Sequence, residues 1–251
     1  TTMLFSCLDY SNDESIKIIT AEDPVEYTLD GVIQCGISEK AGRDFDATLR
    51  EIVRQDPDIV VLGEIRDKPT AEFAIEAALT GHKVYCTFHT EDSVAALLRL
   101  IEMQVEPFLI SSTVRAVLAQ RLLRRICEQC RMDDEPTLQD FEALGLDPAE
   151  MRQYRFQRGQ GCGACNFTGY RGRVAVFECL ILNEGLRNAV FNRQPADALR
   201  TIAFESTGLV NLREDAVMKA VRGQTSLAAV KRKTPIPQMM RPIEQIVRMI
   251  G

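Results

Sequence analysis

Acids, an imidazole and thiols of types that can do chemistry gather at four places in this sequence. Glu22, Asp23 and Glu26 stand in ITAEDPVEY, Glu64, Arg66 and Asp67 in DIVVLGEIRD, and His89 in GHKVYCTFHT. Cys127 and Cys130 (CEQC) are followed, after 31 intervening residues, by Cys162 and Cys165 (CGAC). Acids carried by two adjacent strand ends make a metal or phosphate site. Each CxxC lets two thiolates face one ion, and two pairs complete a tetrahedral four-thiolate shell with no position open for water, which points to structural zinc. A redox CxxC needs only one pair and usually opens a thioredoxin-like helix.

The acids need strands to carry them. Ile59 to Leu62 is too short an apolar run for a helix and β-branched enough for a strand buried on both faces, the kind found in parallel sheets. Gly63 ends it, and the charges follow at the carboxyl end, where open α/β sheets place ligand sites. A charged turn capping a core strand is the plainer reading of this stretch taken alone. Residues 16–20 repeat the pattern, delivering Glu22, Asp23 and Glu26, with Pro24 preventing a helix from starting through them. Acids before Pro are also routine turn chemistry. A third strand over 83–88 is flanked by His82 and His89, the only histidines in the chain. One His beside a strand is more often structural, but His89 sits at the carboxyl end, with Thr87 and Thr90, on the edge that carries the acids.

Helices fill the intervals. Residues 45–55 read as amphipathic, with Phe45, Leu49, Ile52 and Val53 on one side and Asp44 as cap. Residues 70–79 are alanine-rich and close on Thr80 and Gly81. Strand and helix alternating in short succession imply an α/β fold with a parallel sheet and right-handed crossovers.

Beyond this core, 93–103 and 107–125 carry helical patterns, the second ending in AQRLLRRIC with Arg121, Arg124 and Arg125 close together. A solvated basic helix end suits the helix dipole, and a nucleotide- or acidic-lipid-contacting surface is the functional alternative. Helix signals recur at 138–144 and 148–154 between the cysteine pairs. Residues 173–180 alternate into a strand, Gly169 and Gly172 free the backbone for turns, and 186–191, 197–205 and 209–222 read as helical. The ending, KRKTPIPQMMRPIEQIVRMIG, holds three prolines and then an amphipathic run, and reads as a flexible tail with a terminal docking helix.

Composition narrows the classes. At 251 residues, 45% hydrophobic and 26% charged, the chain can bury a substantial core. A formal net charge of -6 argues against nucleic-acid binding through bulk positive charge. No run of about 18 apolar residues occurs, so no membrane-spanning helix is expected. There is no signal-like opening and no initiator methionine, and the chain reads as a portion of something longer in a reducing, cytosolic setting.

ITAEDPVEY, LREIVRQDPDIVVLGEIRD and GHKVYCTFHT resemble the aspartate box, Walker B region and histidine box of the secretion ATPases of type II secretion systems and type IV pilus assembly, the GspE/PilB group. The resemblance runs from Thr1 to about Val230. It implies a RecA-like P-loop NTPase sheet with helices on both faces, a small tetracysteine zinc module and a helical C-terminal region. The implied segments are an ATPase core over 1–125, the tetracysteine module over 126–166, the remainder of the ATPase domain over 167–233 and a tail over 234–251.

By the same resemblance Glu64 polarises water or acts through the Mg²⁺ shell, Glu22 and Glu26 orient water or metal, and His89 touches the γ-phosphate. Thr1 would be the hydroxyl ligating Mg²⁺, and Thr2, Asp23, Glu26 and Arg66 would border the nucleotide. Gly63 stands where many P-loop enzymes carry Asp, which leaves more of the role to Glu64. No G-x-x-x-x-G-K-[ST] stretch occurs, while TTMLF resembles the segment just past the P-loop lysine, so these residues alone are expected to bind ATP poorly.

ATP, Mg²⁺ and Zn²⁺ are the implied cofactors. A homo-oligomer, a hexameric ring, is the implied assembly, with inner-membrane platform proteins as partners and peripheral inner-membrane association from the cytoplasm. The tetracysteine element narrows the choice toward secretion or pilus extension. A catalytically inert, zinc-stabilised interaction subunit is the alternative, and a zinc-ribbon nucleic-acid binder is disfavoured by the acidic charge and the few aromatics near the cysteines.

Overall fold

The structure is a computed structural model that describes residues 1–37 and 45–250. Asp44, the expected helix cap, and the side chain of Phe45 lie outside that description. The chain forms two compact units, one of residues 1–90, 96–114 and 190–193, the other of 91–95, 115–189 and 194–251.

The first unit is built on β1 (Ile18–Glu22), β2 (Val32–Gly36), β3 (Ile59–Leu62) and β4 (Lys83–Cys86), all parallel in the order β2-β1-β3-β4. Every residue of β1 and β3 is buried, as central strands covered on both faces require. Helix α1 (Thr2–Ser11) packs Leu8 against Ile18, Ile59 and Val61. Ile19, Val60 and Leu62, of opposite parity, are buried too, and helices cover both faces of the sheet. Helix α2 (Phe45–Val53) contacts β1, and α3 (Lys68–Leu79) contacts β4. Asp67 caps α3, its carboxylate accepting from the Thr70 N–H at 3.0 Å. Helices α4 (Ser93–Glu102) and α5 (Pro107–Thr113) follow. β2 has no clear signature in the sequence.

The second unit centres on a long antiparallel ribbon of β5 (Ala116–Ile126) and β8 (Tyr170–Ile181). This corrects the helix expected over 107–125, which stops at Thr113. Ala119, Leu123 and Ile126, the buried residues of β5, fall at helix-like spacing because the register shifts between Arg124 and Ile126. Such a bulge breaks the two-residue alternation. The expected basic helix end is therefore a strand: Arg124 stacks 3.9 Å above the Tyr170 ring, and Arg125 pairs with Glu128 at 2.6 Å.

A second ribbon, β6 (Arg131–Asp134) with β7 (Phe156–Gly159), encloses α6 (Leu138–Glu142) and α7 (Pro148–Met151) in sequence. Helices α8 (Glu184–Phe191), α9 (Ala196–Ser206), α10 (Leu212–Val221), α11 (Leu227–Lys233) and α12 (Ile243–Ile250) complete the chain. The ending is not a loose tail. Ile243 and Ile246 of α12 are buried in a cluster with Phe141, Leu144, Met151, Leu212 and Val217, and Arg241 meets the buried Glu214 at 2.8 Å. The prolines of this stretch read as linker chemistry, but they only interrupt the helices that dock on either side.

Candidate functional site

Parallel strands bring their carboxyl ends to one edge, and the charged groups come with them. Glu22 closes β1, Glu64 lies two residues past β3, and His89 three past β4. They border a cavity of about 410 Å³ that Thr1, Asp23, Glu26, Arg66, Thr87 and Asp67 also line. Of the eight residues expected at a nucleotide site, Thr2 alone does not line it. Thr1 sits at the amino end of α1, whose unpaired N–H groups and positive dipole end favour an anion.

Glu64 shares its two carboxylate oxygens. Oε1 accepts from the Arg66 Nε at 2.6 Å and from Arg66 Nη2, and Oε2 lies 2.9 Å from His89 Nε2. The Arg66 hydrogen bond holds the Glu64 carboxyl below the usual carboxylate range, against burial that pushes it up, with His89 adding a smaller lowering. Arg66 also reaches Asp23 at 3.6 Å, and its own pKa is raised, first of all by Glu64. Asp67 is held low by the Thr70 hydrogen bonds, so its work is to cap α3.

Glu22 is almost fully buried. Its Oε1 accepts from Thr20 Oγ1 at 2.6 Å and Gln34 Nε2 at 2.9 Å. Gln34 is in turn held by the Leu29 N–H at 2.8 Å and the Tyr27 carbonyl at 2.9 Å. Sequence reasoning misses this glutamine, because a polar residue in an unrecognised strand carries no signal of what it will meet. Thr87 is visible in the sequence only as a neighbour of His89; its hydroxyl donates to the Gly63 carbonyl. Gly63 is needed for closeness, since a Cβ there would lie 3.2 Å from the Ala21 carbonyl oxygen and 3.4 Å from the Glu22 Cα. His82, at the other end of β4, is engaged by Thr80 Oγ1 and the Ala77 carbonyl, each at 3.0 Å. It is a structural residue of the α3 terminus.

In the second unit the four cysteines converge, all their sulfurs within 4.8 Å of one another. Cys127 to Cys162 and Cys130 to Cys165 are 3.9 Å apart, and Cys162 to Cys165 3.8 Å. Zn–S bonds of about 2.3 Å make the edge of a regular tetrahedron about 3.8 Å, so the donor set fits zinc. N–H groups of Gly161, Cys162 and Gly169 point at sulfurs from 3.2 to 3.3 Å. Burial raises the Cys165 thiol, but the N–H groups of Cys162 and Gly169, with the Cys162 and Cys130 thiols, outweigh it and bring it to about 6. Burial prevails at Cys130, pushed up to about 11. The turns that bring the pairs together rest on glycine: a Cβ on Gly159 would lie 1.9 Å from the Gly169 carbonyl oxygen.

Residues 1–238 match the family model described as Type II/IV secretion system protein. The chain belongs to that family. Over 215 residues it is 45% identical to the type IV pilus assembly ATPase PilB of Thermus thermophilus, covering 86% of this chain and 24% of that protein. Over 234 residues it is 42% identical to the type II secretion system protein E of Aeromonas hydrophila, covering 93% and 46%. This member of the type II/IV secretion family therefore spans about half, or less, of the curated relatives it matches. Among solved structures, the pilus retraction motor PilT with bound ADP superposes with a TM-score of 0.68 at 25% identity, covering 95% of this chain and 59% of that one. The ATPase DotB of Legionella pneumophila shares the fold, with a TM-score of 0.64 at 21% identity over 92% of this chain and 56% of that one.

Proposed function

We propose that the chain is the ATP-hydrolysing part of a motor subunit that powers type II protein secretion or type IV pilus assembly. The observation that carries this reading is the meeting of Glu22, Glu64 and His89 at one sheet edge beside a cavity lined by Thr1 and Arg66. Family membership and the names of its relatives support it.

Hydrolysis of ATP needs charge neutralisation around the phosphates and a group that holds water in line with the γ-phosphorus. Glu64, kept ionised by Arg66, is the water-orienting carboxylate. Its Oε2 contact sets the imidazole of His89 toward the γ-phosphate. Glu22, fixed by Thr20 and Gln34, and Glu26 orient water or the metal shell, while Asp23 tethers Arg66. Thr1, Asp23, Glu26 and Arg66 border the nucleotide, and Thr2, which does not line the cavity, is left out of that set. Mg²⁺, held through the Thr1 hydroxyl, would supply charge neutralisation of the phosphates. Zn²⁺ on Cys127, Cys130, Cys162 and Cys165 would be structural, since all four positions are protein thiolates.

The working assembly is a homo-oligomeric, hexameric ring, cytoplasmic and peripherally associated with the inner membrane through platform proteins, with acidic lipid as a further contact and no nucleic acid. Among the described residues no helix is long and apolar enough to cross a membrane.

These 251 residues hold no G-x-x-x-x-G-K-[ST], and poor ATP binding is proposed for them alone; the alternative reading is a catalytically inert, zinc-stabilised regulatory subunit. One experiment separates the two: hydrolysis by the polypeptide encoded with the sequence upstream of Thr1, with and without Glu64→Gln. ATP turnover that Glu64→Gln abolishes supports the motor. Turnover untouched by Glu64→Gln removes Glu64 from the mechanism, and a start codon at Thr1 with no turnover supports the inert subunit. Micromolar ATP affinity of the 251 residues alone would contradict the poor binding expected of them.

A further inference from the structure

The loop between β1 and β2 carries Asp23, Pro24 and Glu26, all of which border the cavity, and one side chain fastens that loop to the buried acid before it. Gln34 lies opposite Thr20 in the parallel register of β2 on β1. Paired residues, and those two apart on a strand, share a face, so Thr20, Glu22 and Gln34 stand on the same side of the sheet. Gln34 Nε2 donates to Glu22 Oε1 and to the Tyr27 carbonyl, both at 2.9 Å, and its Oε1 accepts from the Leu29 N–H at 2.8 Å.

The backbone decides which way that amide points. Leu29 offers an N–H and Tyr27 a carbonyl, so the amide oxygen must face Leu29 and the nitrogen Tyr27. The second Nε2 hydrogen is then committed to Glu22. The loop is also held to α1, where the Tyr27 ring meets Phe5 edge-on with centroids 5.5 Å apart and Asn12 Nδ2 donates to the Asp30 carbonyl at 2.7 Å. Gln34 is the side chain that joins it to Glu22.

Both donors to Glu22, Thr20 and Gln34, fall on Oε1. Among the described residues no hydrogen bond reaches Oε2, and no buried side-chain oxygen is left without a partner, so Oε2 is the oxygen open at the cavity that Glu22 lines. We propose that Gln34 is a positioning residue for the reaction at this edge. By closing Oε1 and tying the loop of Asp23 and Glu26 to it, Gln34 leaves Glu22 one oxygen, held in one direction, for water or the metal shell. The consequence for turnover rests on the function proposed above; the contact does not, and the two are measured separately.

The contact is read without nucleotide, by ¹H–¹⁵N NMR of the zinc-loaded chain, in which Gln34→Met identifies the Gln34 side-chain amide by the loss of its signals. Glu22→Gln is expected to shift those signals and to leave in place those of Asn183, whose amide is bonded to the Ser206 carbonyl. Turnover is read in the polypeptide extended upstream of Thr1. Gln34→Met, similar in length but without the hydrogen bonds, is expected to lower kcat and kcat/KM together by about 10- to 100-fold, with KM in place. Gln34→Glu sets a second carboxyl against Glu22, and two such neighbours resist ionising together. A proton shared between them at low pH restores a bond to Oε1, and its loss at higher pH replaces that bond with repulsion. The kcat of Gln34→Glu should therefore fall with rising pH over a range where the parent's holds, which a mere loss of packing does not produce. Far-ultraviolet dichroism equal to the parent's establishes that each variant is folded.

Glu64-dependent turnover that neither Gln34 variant alters overturns the positioning role and leaves the proposed function standing. Gln34 signals unmoved by Glu22→Gln overturn the contact, whatever the chain hydrolyses. Shifted signals without Glu64-dependent turnover remove the proposed function, and the positioning role with it. Shifted signals, with kcat lost in Gln34→Met and regained at low pH in Gln34→Glu, support the assignment.

Discussion

Glu64 and His89 come from different strands, 25 residues apart in sequence, and meet at 2.9 Å with the other Glu64 oxygen taken by Arg66. A carboxylate held on both oxygens is fixed in direction, which is what a group that must aim a water needs. It is also biased toward its charged form, by Arg66 first.

That bias predicts a pH dependence. The Glu64 pKa is lower in the folded chain than in the unfolded one, so its contribution to stability is fully present above the unfolded carboxylate pKa of about 4.3 and fades as pH falls through the folded value. Arg66 is well exposed, so the contribution is small, below about 1 kcal/mol. Arg66→Ala should move the Glu64 carboxyl titration upward, read by ¹³C NMR of its carboxyl carbon, and shift the acid limb of any ATPase profile to higher pH with it. An unmoved titration would mean that burial, not Arg66, governs this group.

The tetracysteine cluster predicts zinc in near-equimolar amount with the purified chain, measured by mass spectrometry of the metal. Cys162→Ser should lose most of it and lower the thermal midpoint. Removing a structural zinc can cost several kcal/mol, against the ~10–16 kcal/mol with which such sites bind in isolated fingers. Zinc-free protein with two disulfides in its place, and an unchanged midpoint in the serine variant, would refute the assignment.

Gly63→Ala tests the packing under the acids. Its Cβ would press on the Ala21 carbonyl at 3.2 Å, and the crowding should cost about 1–3 kcal/mol, as overpacking does. Gly63→Asp, the residue many P-loop enzymes use here, adds a carboxylate to the same space and should cost more. Chemical denaturation of the three proteins measures both. Equal stability of parent and Gly63→Asp would show that β1 can yield at its end.

Much of the first unit is legible in the sequence because its signals are local. A four-residue β-branched run, a glycine and then charge marks the end of a buried parallel strand, and two such ends next to a third carrying His89 bring the candidate residues to one edge. β2 is not legible: Val32–Gly36 has intermediate burial and a glutamine at its centre, and its meaning comes only from pairing with β1. β5 misleads for a sharper reason. Ala119, Leu123 and Ile126 match a helix stripe, and Arg121, on the inward parity of the strand, reaches the Glu91 carbonyl in place of packing as an apolar residue would. Its strand identity is decided by β8, some 50 residues away, and tertiary pairing overrides local pattern in such a case. The cysteine pairs announce a four-thiolate cluster, but nothing local to 234–251 announces what its polar residues will bind.

That ending offers the clearest stability test. Glu214 has no solvent exposure, and its Oε2 receives the Arg241 Nη1 at 2.8 Å. Its carboxylate also accepts the backbone N–H groups of Arg241 at 2.9 Å and Asn211 at 3.1 Å. The Arg241 guanidinium further donates to the Leu209 and Phe204 carbonyls at 2.8 and 2.7 Å and lies 3.7 Å over the Phe204 ring. Burial raises the Glu214 pKa despite these partners, so ionising it weighs against the fold as pH climbs through the interval between its unfolded and folded values. Arg241→Ala strands a buried acid and should cost about 3–5 kcal/mol. Removing the acid as well should recover part of this, because the double variant no longer buries an unpaired charge. Urea unfolding of the parent, Arg241→Ala, Glu214→Leu and the double variant closes the cycle. Additive losses would mean that the pair does not couple, and that α12 is held by Ile243 and Ile246 alone.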